Sequence, residues 1–416
     1  MAFSLDEHKQ KIQAIVDRFT TLKNPNINKL AAALGIPSRT VWDAIYIYAP
    51  RYGIPVAQKS VSPLPELPEP SDELQVKIKM LTAQLASYKN NELSARYIRT
   101  KILGLAEQPP APPSWLVETK PSKSSPGVPT LFASDWHHGE VIEPSQVGGI
   151  NQYNLNIAHD RQKQLITRTI DLLDSHMVNP SYPGIVFALG GDMVSGDIHD
   201  ELKETNDIPL IPAVLDLLNI LTWCITTLAD RFGRVFVPCV TGNHGRNTLK
   251  IRAKDRHYTS FDWLTYQLLE KHFKSDPRVS FLIPDGPDAY YRVFGHRYLL
   301  THGDAFRAGD SMIGPLGPII RGDHKKRGRN NQIDMPYDTL MLGHFHQLVQ
   351  MQRLIVNGSL CGYNEYAYAG NFPFERPRQG LWLTHPQHGI TISMPVNVSD
   401  IEEKKGERPW VSTKGI

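Results

Sequence analysis

The sequence predicts an α/β protein preceded by a small all-α unit, and three observations carry that prediction. From about residue 129, apolar runs of strand length alternate with helical segments. Before that point apolar residues recur at helical spacing, in two stretches divided by proline-rich sequence. Each strand-like run also ends, directly or within a glycine or two, on a residue of metal-ligand type. The chain has 416 residues, a length for two or three domains, and its 41% hydrophobic and 21% charged residues suit a largely globular protein.

Residues 1–54 read as a helical unit. Ile12, Ile15, Val16 and Phe19 share one helical face. In NKLAAALGIPSRTVWDAI, Leu30–Leu34 is a short helix, Gly35 allows a tight turn, and Ser38 is a good N-cap for the next helix. Ala31, Gly35, Ile36 and Val41 stand at the spacing of a helix-turn-helix, and the stretch resembles such units in DNA-binding regulators and recombinases. Arg39 and Thr40, at the start of the second helix, are then the expected groove or phosphate contacts. A three-helix cap with no DNA role has the same pattern.

Residues 55–71 form a proline-rich linker. Leu74, Ile78, Leu81, Leu85 and Tyr88, resumed by Ala95, Ile98, Ile102 and Leu105, alternate steps of four and three, so one long helix is expected over 72–105. Its stripe suits either pairing with a second copy, giving a homo-oligomer, or packing on the catalytic domain. A second linker spans 106–128, and the α/β domain runs from 129 to 398, with a tail at 399–416. Its expected strands are Thr130–Ser134, Ile185–Leu189, Val235–Val240, Tyr298–Thr301 and Thr339–Leu342.

The strand ends carry the chemistry. SDWHHGE presents Asp135 and His137, LGGDMVSGD presents Asp192, VTGNHGR presents Asn243 and His244, LLTHGD presents His302, and LMLGHFHQ presents His344 and His346. One DxH or HxH alone is weak evidence, and a lone buried histidine is more often structural; five such blocks in order, each at a strand end, are hard to reach by chance. Carboxylate, amide oxygen and imidazole form a mixed O/N donor set suited to Mn²⁺, Fe or Zn²⁺. Cys224, Cys239 and Cys361 form no CxxC pair, which points to a reducing compartment and to no cysteine metal site. The N-terminus lacks the pattern of a signal peptide, and no apolar run approaches the roughly 18 residues that span a bilayer, so a cytoplasmic protein without a membrane partner is expected.

The five blocks resemble the calcineurin-like metallophosphoesterase superfamily, over roughly residues 129–398. The resemblance implies a β-sandwich of two mixed sheets flanked by helices, and two divalent cations, with Mn²⁺ the expected metal. It implies that Asp135, His137 and His346 hold one ion, that Asn243, His302 and His344 hold the other, and that Asp192 bridges them. His244 is then the residue that assists the leaving group. His138, beside His137, competes as a ligand; Asp197 or Asp200 would orient His244 or face solvent; Asp304 would be a partner of a ligand histidine or a turn residue.

The net charge of +3 is too small to name a polyanion partner, so local charge must decide. GRNTLKIRAKDRHY carries Arg246, Lys250, Arg252, Lys254 and Arg256, and RGDHKKRGRNN carries Arg321, Lys325, Lys326, Arg327 and Arg329. Arg246, Arg252, Lys254, Lys326 and Arg327 are the expected contacts to a DNA backbone, and Tyr258, Phe261 and Trp263 would stack on bases. With the N-terminal unit, the arrangement resembles the DNA-repair exonuclease branch and phage-encoded phosphoesterases, which implies a nuclease. The alternatives are a phosphatase or phosphodiesterase acting on a protein or small nucleotide, and a DNA-binding regulator that retains the fold as a scaffold.

Overall fold

The computed structural model describes residues 5–21, 26–56, 99, 103–105, 112–117, 127–178, 180–306 and 316–399. The chain divides into two compact units, residues 1–84 and 85–416.

The first unit contains helices Leu5–Thr20, Ile27–Leu34 and Ser38–Asp43, the last continuing through a π turn at Ala44–Tyr48 to Ala49–Arg51. The Asn26 side chain caps the second helix by accepting the N–H groups of Asn28 and Lys29. Gly35 ends it at φ 65°, a left-handed conformation that glycine adopts without strain. Leu30, Ala31, Val41 and Ile45 close the corner between the helices, with Phe19 and Ile36 against them. Pro37 rather than Ser38 stands at the N-cap, so that helix begins without a side-chain cap bond; proline's fixed φ suits a helix start. The 55–71 linker and the 72–105 helix fall almost wholly outside the described residues, and so does the tail beyond residue 399.

The second unit is built on eleven described strands: β1 (Val128–Ala133), β2 (Ile185–Leu189), β3 (Val235–Pro238), β4 (Val279–Leu282), β5 (Asp288–Val293), β6 (His296–Thr301), β7 (Thr339–Leu342), β8 (Val349–Gln350), β9 (Leu354–Val356), β10 (Arg378–His385) and β11 (Gly389–Asn397). They form two mixed sheets, ordered β11-β10-β1-β2-β3-β4 and β5-β6-β7-β9-β8. The run β1 to β4 is parallel, and so is β6-β7-β9. β1, β2 and β3 are buried at every position, which is why they read as continuous apolar runs without alternation.

Between the sheets lies one core, where Phe132, Val186, Ala188 and Phe236 meet Tyr291, Tyr298, Leu300, Met341 and Ile355. The other face of the first sheet is covered by helices Leu155–Ser175, Leu210–Phe232 and Phe261–His272, through Leu165, Leu221 and Tyr266 among others. Helix Leu316–Gln332 covers the second sheet through Ile319, against Leu299, Leu340 and Leu342. This is a mixed α/β fold of two sheets with helices on both outer faces.

Two observations add to the expectations. The 106–128 stretch is more than a linker: Ser114–Val117 is helical, Leu116 is fully buried between the sheets, and its carbonyl accepts the Phe294 N–H. Helix Leu210–Phe232 is long and apolar enough to cross a membrane by length and composition. Scattered Asn, Thr and Asp residues break it as a run, and its face from Ala213 to Phe232 packs into the core.

Candidate metal centre

The seven expected ligands follow β1, β2, β3, β6 and β7, and the fold brings them together. The loops after β1 and β2 run side by side: the N–H groups of Asp135, His137 and His138 donate to the carbonyls of Gly191, Asp192 and Met193. The loops after β3 and β7 are tied to the carboxylates those two loops present. The His244 N–H donates to Asp192 Oδ1 at 2.7 Å, and the His344 N–H to Asp135 Oδ1 at 2.9 Å. These bonds explain the glycines of the motifs. A Cβ at Gly242 would run into the Asp192 carboxylate, and one at Gly343 into that of Asp135.

Strain is concentrated here. Of the nine non-glycine residues with positive φ among the described residues, five are Asp135, His137, Asp192, His344 and His346. Left-handed backbone costs on the order of 1–3 kcal/mol per residue and persists where surrounding structure overrides it. Its concentration at these positions marks a site at which side-chain direction overrides local preference.

The donor atoms face one another. His302 donates Nδ1–H to the Gly190 carbonyl at 2.8 Å, which turns Nε2 toward Asp192 Oδ2 at 3.0 Å and Asn243 Oδ1 at 3.2 Å. A neutral ring so held has a lone pair at Nε2, and three acceptors then converge on one point. A cation at that point, or a proton on Nε2, relieves that. In the metal-free protein the proton does so: burial works to lower the His302 pKa, and the Asp192 charge and hydrogen bond overrule it, taking it up to about 10. Burial likewise works to raise the Asp192 carboxyl, and His302, His244 and His137 hold it well below the usual range. Asp192, His302 and His344 offer ligand atoms within 4.8 Å of one another. On the other side, His137 Nε2 stands 3.1 Å from His346 Nε2, which is 3.4 Å from Asp135 Oδ1. The donor set converges, with Asp135, His137, Asp192 and His302 buried and Asn243, His344 and His346 partly so, and it fits divalent cations.

His244 lies beside this set, its ring 4.5 Å from that of His137. Its Nδ1–H donates to the Ser195 carbonyl at 3.0 Å. That carbonyl, rather than Asp197 or Asp200, orients the ring; Asp200 pairs with Lys203 instead. His138 turns away from the centre to Asp216 and Gln162, so His137 is the histidine of DWHHG that faces it. Asp304 pairs with Arg256 at 2.8 Å rather than with a ligand histidine.

Sequence reasoning missed three neighbours. Asp262 is fully buried beneath the centre, where its carboxylate accepts the N–H groups of Asp192, Met193 and Gly242. Glu140 Oε2 lies 3.5 Å from His137 Nδ1, and its Oε1 accepts from Asn364. Burial raises the Glu140 carboxyl to about 7. Cys361, set aside with the other cysteines, offers its Sγ within 4.8 Å of the His137 and His346 ligand atoms. The E of DWHHGE was the one visible signal among the three.

The expected nucleic-acid contacts divide. Arg39 and Thr40 are exposed on the first unit, with Arg39 paired to Asp43 and lying over the Trp42 ring. Arg252 and Lys254 are exposed in the loop after Asn243, while Arg246 donates to the Asn243 and Thr248 carbonyls. The second basic segment lies in helix Leu316–Gln332. Lys326 there pairs with buried Asp288 at 2.6 Å, and Arg327 pairs with Asp323 and the Tyr337 carbonyl. Their charge serves the fold. Trp263 is buried, and Tyr258 and Phe261 pack against the same core, so this trio is structural.

No family model matches the chain, and no curated protein matches it. Among solved structures it is similar to vacuolar protein sorting 29 from Cryptosporidium parvum, at 13% identity over 62% of this chain and 84% of that one, with a TM-score of 0.26. It is similar to a single mutant of Vps29 from Entamoeba histolytica, at 11% identity over 65% and 99%, with a TM-score of 0.26. A predicted phosphoesterase from Streptococcus pneumoniae matches at 10% identity over 64% and 96%, with a TM-score of 0.22.

Proposed function

We propose that this chain is a dinuclear metal-dependent phosphoesterase. The observation that supports the reading is the convergence of His302 Nε2, Asp192 Oδ2 and Asn243 Oδ1 on one point, beside the facing pair His137 and His346. Asp135, His137 and His346 would hold one ion, Asn243, His302 and His344 the other, and Asp192 both. Two divalent cations there, with Mn²⁺ favoured, supply Lewis acidity that neutralises phosphoryl charge and lowers the pKa of water. The chain's own residues do the rest. The Gly190 carbonyl holds the outer nitrogen of His302, which fixes how that ring faces the centre, and Glu140 Oε2 stands 3.5 Å from the outer nitrogen of His137. His244 keeps one proton on Nδ1 against Ser195 and presents Nε2 to the site. Burial lowers its pKa, so the imidazolium is a stronger acid than an exposed one and gives its proton to a leaving oxygen more readily.

The substrate class we propose is the nucleic-acid backbone. Lys250, Arg252 and Lys254 are exposed on the loop that leaves ligand Asn243, where they would meet phosphates beyond the scissile one. The first unit, with Arg39 and Thr40 exposed at a helix start, would add duplex binding. The test is incubation with Mn²⁺ and labelled single- and double-stranded DNA, beside bis-(p-nitrophenyl) phosphate and p-nitrophenyl phosphate. Hydrolysis of DNA and diester is expected. Turnover of the monoester alone overturns the nucleic-acid reading, and turnover of none overturns the phosphoesterase reading.

A further inference from the structure

His138, the ring that turns away from the centre, meets two partners from separate helices. Its Nε2 lies 2.7 Å from Asp216 Oδ2, and His159 Nε2 lies 2.6 Å from the same oxygen. The two imidazoles are stacked, with centroids 5.5 Å apart. Asp216 is the only Asp, Glu, Lys or Arg between Leu210 and Ala229, on a helix that buries one face through Ala213, Leu217 and Leu221 and exposes Ile211, Leu215 and Trp223. Two imidazoles are aimed at one oxygen of this carboxylate.

We propose that His138, His159 and Asp216 form a third, separate metal site for a zinc-like divalent ion. Two imidazole nitrogens and one carboxylate oxygen are a common Zn²⁺ donor set with a fourth position left to solvent. His159 and Asp216 are about one-third exposed, at 32% and 30%, so an ion can enter and keep water. His138 is fully buried, and so is Gln162, whose amide sits 2.9 Å from His138 Nδ1. In that orientation Gln162 Oε1 has no partner. Exchanging the amide oxygen and nitrogen, which have nearly the same shape, puts the oxygen on Nδ1–H and leaves the Nε2 lone pair directed at Asp216 and His159. Ligand bonds of about 2.0–2.2 Å in a tetrahedron set donor atoms about 3.3 Å apart. The carboxylate must therefore draw back by less than about 1 Å, and its position at the surface permits that.

The test counts Zn²⁺ bound per full-length chain by elemental analysis after dialysis, and repeats it with Co²⁺ to read the visible bands of a tetrahedral ion. His159→Ala and Asp216→Asn are each expected to hold one ion fewer than the unsubstituted chain, to lose one set of Co²⁺ bands, and to keep diester hydrolysis within about twofold. In an Asp192→Asn background one Zn²⁺ is expected to remain, and none once His159→Ala is added. These differences stand whether or not the dinuclear centre fills, so failure here and failure of the phosphoesterase reading are told apart. Equal metal content in the His159→Ala chain and the unsubstituted chain overturns the proposal. His159 decides alone where Asp216→Asn does not fold.

Discussion

The Asp192 N–H donates to Asp262 Oδ2 at 3.0 Å, and the same oxygen takes the Gly242 N–H at 2.9 Å. One buried carboxylate thus fastens the loop that carries Asp192 to the loop that carries Asn243. Burial, with the charge of Asp192 added, raises its carboxyl to about 6, and the two N–H groups work against that rise.

Asp262→Ala leaves buried N–H groups unpaired, at about 1–3 kcal/mol each. Thermal unfolding of the metal-free chain is expected to show the full loss. Metal affinity is expected to fall by about 10–100-fold, the range typical of lost supporting contacts. Retention of both unfolding temperature and metal affinity would show that the two loops hold themselves.

Gly343→Ala is expected to displace the Asp135 carboxylate and to leave the remote core untouched, because the added methyl meets that side chain. Titration with Mn²⁺ reads the outcome as weakened binding at one of the two ions. Undiminished binding would mean that the β7 loop shifts freely.

How much of this was legible in the sequence follows from where each signal lies. Asp135, Asp192 and His302 could be placed because each follows an apolar run within a few residues, and a parallel sheet collects strand ends at one edge. Asp262 could not, because its partners lie 70 and 20 residues away and its helix-start position looks ordinary. β10 and β11 end on no ligand, so nothing singled them out, although β10 pairs with β1 along the centre of the first sheet. Lys326 and Arg327 read as free charge because Asp288 and Asp323, which neutralise them, act only in three dimensions.

Those two classes of basic residue give opposite outcomes on reversal. Arg252→Glu with Lys254→Glu is expected to cut oligonucleotide hydrolysis at least about tenfold, with a shallower salt dependence than the unsubstituted chain, and to leave the small diester unchanged. Lys326→Glu opposes buried Asp288 and should cost roughly 3 kcal/mol of stability, so both substrates suffer together. An equal response of both substrates to the Arg252 and Lys254 reversal would remove the local support for DNA.

His244→Asn removes the proton donor and keeps the neighbouring ligands. The loss in kcat should be small for a p-nitrophenolate leaving group, which needs no proton, and about 10²-fold or more for an alkoxide. A general acid works while protonated, so the alkoxide rate should fall as pH rises through the His244 pKa, which burial places below the usual histidine value. The variant should lack that limb. Equal losses on both leaving groups would contradict the role.

Asp192 is the one residue whose carboxylate is proposed to serve both ions. Metal content and diester hydrolysis, measured on the same preparations of the unsubstituted chain and of Asp192→Asn, test it most directly. The variant is expected to hold two ions fewer per chain and to hydrolyse the diester at least about 10³-fold more slowly, the scale expected when metal-borne charge stabilisation is removed. An Asp192→Asn chain with unchanged metal content and undiminished hydrolysis would contradict it.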